Sequence, residues 1–75
     1  MARAAKRVVI CLDNTGYEAS LVRWKIHVSL ADRNAERLGQ IRVIDESGED
    51  YLYEKGIFKE VSLPQSIRRA VLLAA

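Results

Sequence analysis

Between Gln40 and Glu54 lies the segment that most constrains what this 75-residue chain can fold into. Gln40 to Asp45 and Asp50 to Glu54 are two short, β-prone runs, and they flank Glu46-Ser-Gly-Glu49. Apolar runs meeting at a Gly-bearing polar tetrad are a strong hairpin signal. Two registers compete. A three-residue loop with Gly48 left-handed sets Asp45 opposite Glu49. A two- or four-residue loop sets Val43 opposite Leu52 and Ile44 opposite Tyr51, and pairs Asp45 with Asp50. The second matches apolar with apolar. It is the preferred reading, because register follows the buried face, although like charges directly opposite one another oppose it.

The rest of the chain has the punctuation of further short elements. Val8 to Leu12 is apolar at every position, which predicts a strand covered on both faces. Asp13-Asn-Thr-Gly16 reads as a type I turn, and Tyr17 to Arg23 as a loop bent back over the sheet. Trp24 to Leu30 alternates. Trp24, Ile26, Val28 and Leu30 are predicted inward, and Lys25, His27 and Ser29 outward. Asp32 is placed to cap a helical turn over Arg33 to Leu38, with Gly39 ending it. Gly56 to Val61 reads as a tight turn into a last strand. Ser62 and Gln65 form a capping box, and Pro64 suits a first helical turn. A helix over 64–74 would put Leu63, Ile67, Ala70, Val71 and Ala74 on its packed face, leaving Leu72 and Leu73 beside Arg68 and Arg69.

Five short strands and one terminal helix in a single domain, residues 6–75 after a loose start at 1–5, leave few architectures. A mostly-β, five-stranded, partly open small barrel is the most economical, since closure removes sheet edges. Two blocks add a resemblance. Cys11-Leu-Asp-Asn-Thr-Gly-Tyr-Glu-Ala-Ser-Leu21 and Arg42-Val-Ile-Asp-Glu-Ser-Gly-Glu-Asp-Tyr-Leu-Tyr53 resemble a group of short uncharacterised bacterial proteins that are similar to Src-homology-3-like (SH3-like) β-barrels. The resemblance spans most of residues 7–64. It implies an SH3-like barrel with a short C-terminal helix, a cytoplasmic setting, and little about activity. Those proteins carry a Gly-Lys step before the second strand, where this chain has Arg23-Trp24-Lys25.

Composition excludes extremes. Apolar residues are 49% of the chain, charged residues 29%, and the net charge is +2. That balance gives no strong pull to nucleic acid or membrane. Cys11 is the only cysteine, which excludes an internal disulfide and favours a reducing compartment. The basic start followed by Val8 to Leu12 is too short for a signal-peptide core. No apolar run is long enough to span a membrane. Cytoplasmic localisation is the expectation.

No catalytic, cofactor or metal constellation stands out. The four carboxylates of Asp45 to Asp50 lack the calcium-loop spacing and read first as a solvated hairpin tip, with contact to a basic partner and then a metal site as lesser alternatives. His27 is alone on a predicted polar face, with no nucleophile near it in sequence. Cys11 reads as a small core residue, without the base and orienting group that cysteine catalysis needs. No Gly-rich phosphate loop exists. Lys6 and Arg7 with Arg3, Arg33 with Arg37, and Arg68 with Arg69 would track phosphates only if they converged. The motifs of proline-binding SH3 domains, a Tyr-bearing Ala-Leu run and a Trp-Trp pair, are missing, and Trp24 is expected to be buried.

The reading is therefore a non-enzymatic binding module, with a nucleic-acid accessory barrel as the alternative. Tyr17, Glu18, Tyr51, Tyr53 and Phe58 are its candidate protein-binding residues. Leu72 and Leu73 are candidates for self-association into a homodimer through the helix.

Overall fold

A computed structural model describes residues 5–74. Its strands are β1 (Lys6–Cys11), β2 (Ile26–Leu30), β3 (Gln40–Ile44), β4 (Asp50–Glu54) and β5 (Phe58–Glu60). Helix α1 (Arg33–Arg37) joins β2 to β3, a 3-10 turn over Lys55–Ile57 joins β4 to β5, and α2 (Gln65–Ala74) follows β5. All strand pairs are antiparallel, in one sheet of order β4-β3-β2-β1-β5. The sheet is open, with β4 and β5 at its edges.

Directly paired residues of a sheet share a face, so the register fixes the two sides. One face gathers Val9, Cys11, Val43, Tyr53 and Phe58. Leu21, from the long β1–β2 loop, completes this core. The opposite face carries the pair Val8 and Val28, which is also buried. There α2 is the cover: Val71 and Ala74 share a groove with Ile26, Val28 and Ile44. The Arg68 guanidinium donates to the Lys6 carbonyl at 3.1 Å. The apolar part of β1, Val8 to Cys11, thus has both of its faces covered.

Covering both faces overturns the alternation expected of β2. His27, Val28 and Ser29 are all buried, while Ile26 is partly exposed. His27 and Ser29 point to the core side because they pair with Val9 and Val43. The His27 ring meets Phe58 edge-on at 6.3 Å between centroids, so His27 is not the outward residue that alternation predicts. Trp24 is 60% exposed rather than buried. It stands before the strand in the left-handed region, at φ +68°. Cys11 bonds both neighbours: Trp24 N–H donates to its carbonyl at 2.7 Å, and its own N–H donates to the Lys25 carbonyl at 3.0 Å. Two residues facing one, the first of them left-handed, make a β-bulge that glycine adopts without strain.

The hairpin takes the other register. Val43 faces Tyr51, Ile41 faces Tyr53 and Ile44 faces Asp50. Asp45 N–H donates to the Glu49 carbonyl at 3.0 Å, and Gly48 is left-handed at φ +84°. Both registers pair apolar side chains, so burial alone did not choose. The three-residue loop wins through its turn chemistry, and it removes the Asp45–Asp50 clash. Asp50 instead accepts from Arg42 at 2.9 Å, and Arg42 also reaches Asp32 at 3.0 Å.

Asp32 caps α1 as expected, accepting from Ala35 N–H at 3.1 Å, and Gly39 is left-handed. In α2 the packed stripe is rotated from the predicted one. Arg68, Val71 and Leu72 are half-buried, whereas Ile67, Ala70 and Ala74 are exposed. No α2 side chain is fully buried, so the helix shields the sheet without inserting into it. Among the described residues no helix is long and apolar enough to cross a membrane.

Candidate functional site

The β1–β2 loop and the β3–β4 hairpin lie at the same end of the sheet, because antiparallel strands return the chain there. The loop is built locally. Asp13 accepts from the Thr15 amide at 2.9 Å and the Thr15 hydroxyl at 2.7 Å. The turn hydrogen bond runs from Tyr17 N–H to the Asn14 carbonyl at 2.8 Å, with Gly16 left-handed. The turn therefore spans Asn14 to Tyr17, one residue later than the sequence pattern suggested, because Asp13 serves it with its side chain. Leu21 N–H then donates to the Tyr17 carbonyl at 2.8 Å, and Asn14 Nδ2 to the Leu21 carbonyl at 3.0 Å. These bonds drive Leu21 into the core and leave Tyr17 and Ser20 over the hairpin.

The hairpin meets the loop through Asp45. Ile41, Val43 and Asp45 are two residues apart, so Asp45 inherits the inward direction of the strand. Its carboxylate accepts from the Ser47 amide at 2.9 Å, from the Ser47 hydroxyl, and from the Tyr53 hydroxyl at 2.7 Å. Tyr53 also reaches Ser20 Oγ at 3.1 Å, and Glu46 N–H donates to the Ser20 carbonyl at 3.0 Å. Tyr17 packs edge-on against Tyr53 at 5.1 Å between centroids. Burial pushes the Asp45 carboxyl up, but the bonds from Ser47 and Tyr53 outweigh it and hold it below the ordinary carboxylate value. Burial first, with the Asp45 carboxylate beside it, holds the Tyr53 phenol above its usual value despite the Ser20 bond.

Tyr17, Ser20, Asp45, Ser47, Tyr51, Leu52 and Tyr53 line an open depression of about 480 Å³. Of the candidate binding residues, Tyr17, Tyr51 and Tyr53 meet here. Tyr51 is 49% exposed, whereas buried Tyr53 contributes its hydroxyl edge. Glu18 is exposed on the same loop. Phe58 is buried in the core, 5.9 Å from Tyr53, and offers no surface to a partner. Ser20, Asp45, Ser47 and Leu52 belong to the site although they were not among the candidate binding residues. The inward period of Ile41 and Val43 was the available signal for Asp45. Nothing in the sequence marks Ser20, which is placed by the loop's fold.

The acidic tip is divided among separate partners. Glu46 pairs with Lys25 at 2.8 Å, Asp50 with Arg42, and Glu49 accepts from the Tyr51 hydroxyl at 2.7 Å. That last bond raises the Tyr51 phenol above its usual value. Among the described residues no group of three metal-ligating side chains converges. Cys11 is fully buried, and burial raises its thiol above the ordinary value.

The basic residues are scattered. Arg7 pairs with Glu36 at 3.5 Å, Arg37 bonds Asn34, and Arg68 lies over Lys6; Arg3 lies outside the described residues. A second cavity of about 130 Å³ opens between Val9, Ile41 and Phe58, with Arg7, Glu36, Lys55 and Glu60 of opposing charge around it. At the helix, Leu72 is half-buried and Leu73 is 80% exposed. Comparison with family models, with curated proteins and with solved structures gives no match.

Proposed function

We propose that this chain is a non-enzymatic binding module of the SH3-like barrel type that engages a protein partner in the Tyr17–Tyr51–Tyr53 depression. The observation that carries the reading is the depression itself. It has an exposed aromatic wall, and its polar floor is held by hydrogen bonds between two elements distant in sequence. Aromatic residues at a preorganised concave surface are the usual anchors of protein recognition. The five-strand order, with a 3-10 turn between the last two strands, supports the barrel type. The buried thiol of Cys11 and the hydrogen-bonded state of Asp45 support a binding role over catalysis. The scattered arginines favour protein over nucleic acid.

The test is capture of partners on the immobilised chain from lysate of its own cells, with and without nuclease treatment, comparing wild type with Tyr51→Ala and with Lys59→Ala on the far edge strand. Partners lost with Tyr51→Ala and kept with Lys59→Ala support the reading. Partners indifferent to Tyr51, or lost on nuclease treatment, contradict it. Self-association through α2 would rest on exposed Leu73 and Ile67, since Leu72 is half-buried. Sedimentation of Leu73→Glu/Ile67→Glu as monomer against a wild-type dimer would support it.

A further inference from the structure

We infer that the depression receives a cationic side chain, lysine or arginine, from the partner. The inference rests on the reading just given and names the chemistry of its ligand. Asp45 is 94% buried by its 6% exposure, yet its hydrogen-bond donors, Ser47 and Tyr53, are neutral. Among the described residues no lysine or arginine makes an ion pair with it. A buried carboxylate is ordinarily paired with a cation. Here the nearby basic group within the chain is the buried His27 ring, which favours the carboxylate. On its other side the charge borders an opening that no lysine or arginine of the described residues fills.

The walls agree with the floor. Tyrosine rings attract a cation placed over their faces, most strongly where water is excluded. Exposed Tyr51 and half-buried Tyr17 line this space with their rings, and Tyr53 with its hydroxyl edge. Glu18 on the loop and Glu49 on the hairpin make no ion pair among the described residues. The nearby cations Lys25 and Arg42 are engaged by Glu46 and by Asp32 with Asp50. An incoming anion would meet this field unfavourably, and a neutral side chain would add no charge to the support that Ser47, Tyr53 and His27 already give Asp45. A flexible basic side chain can lay its methylene stem along Leu52 and Tyr51 while its charged head meets Asp45.

The experiment is a titration of the full chain, followed by amide and tyrosine NMR signals, with blocked peptides Gly-Ser-X-Ser-Gly in which X is Arg, Lys, Gln or Glu. The Arg and Lys peptides should saturably shift signals of Tyr17, Ser20, Ser47, Tyr51 and Tyr53, at least about tenfold more tightly than the Gln peptide. The Glu peptide should shift none, and added salt should weaken the basic peptides. Asp45→Asn should lose the preference for Arg and Lys over Gln. Because that substitution also touches the turn, Tyr51→Ala provides a second variant, and it should weaken the basic peptides about tenfold while the chain stays folded. Equal binding of Gln and Arg peptides, or no saturable shift at roughly 10 mM of either basic peptide, overturns the inference. Peptide silence alongside Tyr51-dependent capture removes the cation and keeps the surface. Capture indifferent to Tyr51 removes the surface itself.

Discussion

Asp45 is the residue on which the site turns. Its hydroxyl partner Tyr53 comes from β4, and the same hydroxyl touches the loop through Ser20. Tyr53→Phe leaves a buried carboxylate short of one donor and should destabilise the chain by about 1–3 kcal/mol, read as a shift of the urea midpoint at unchanged slope. The pH dependence follows from the lowered Asp45 value. A carboxyl whose folded value lies below its unfolded one stabilises fully above the unfolded value, about 3.9, and loses that contribution as pH falls through the folded value. Asp13, held down by Thr15, and Asp32, held down by Ala35 and Arg42, act with the same sign. The thermal midpoint should therefore drop below about pH 4, and Asp45→Asn should flatten part of that acid limb. Trp24 offers a separate test. In its left-handed conformation, Trp24→Gly should be more stable than Trp24→Ala by about 1 kcal/mol, because only glycine escapes the strain.

At the scale of elements, the cap and end of α1 were legible in the sequence, whereas the first turn lies one residue later than read and the hairpin takes the three-residue loop. Gly39 follows α1 in a left-handed conformation and Asp32 caps it, since local chemistry decides such features; left-handed Gly48 belongs to the loop that the sequence reading set second. The faces of β2 and α2 were not legible. Alternation reports a face only when the other side meets water, and here α2 closes the second side, so His27 and Ser29 are buried with Val28. The hairpin register escaped for a related reason: both pairings match apolar side chains, and the turn chemistry of the three-residue loop settled the choice. The long loop is an element by virtue of Leu21, which is 1% exposed. Leu21→Ala should lose about 2–4 kcal/mol, while Val22→Ala, at a neighbouring exposed position, should stay within about 0.5 kcal/mol. Thermal melts of the two variants make the comparison.

For the whole molecule, one sheet serves two purposes. Its outer face is sheltered by α2, and its inner face holds a small core that ends, at the loop and hairpin, in the tyrosine-lined depression. A chain this short has little stability to spare, and the polar junction of Asp45, Tyr53 and Ser20 ties distant segments where the apolar core runs out. Sequence composition pointed to a small β-rich domain and to the tyrosines, but not to their meeting, which depends on antiparallel strands bringing loop and hairpin to one end. The most direct measurement places a photo-crosslinking phenylalanine analogue at position 51, and separately at position 59, in the chain expressed in its own cells. Discrete protein adducts at 51 that are absent at 59 are the predicted result. Adducts equal at both positions, or none at 51, would contradict the claim that the depression is where this protein meets its partner.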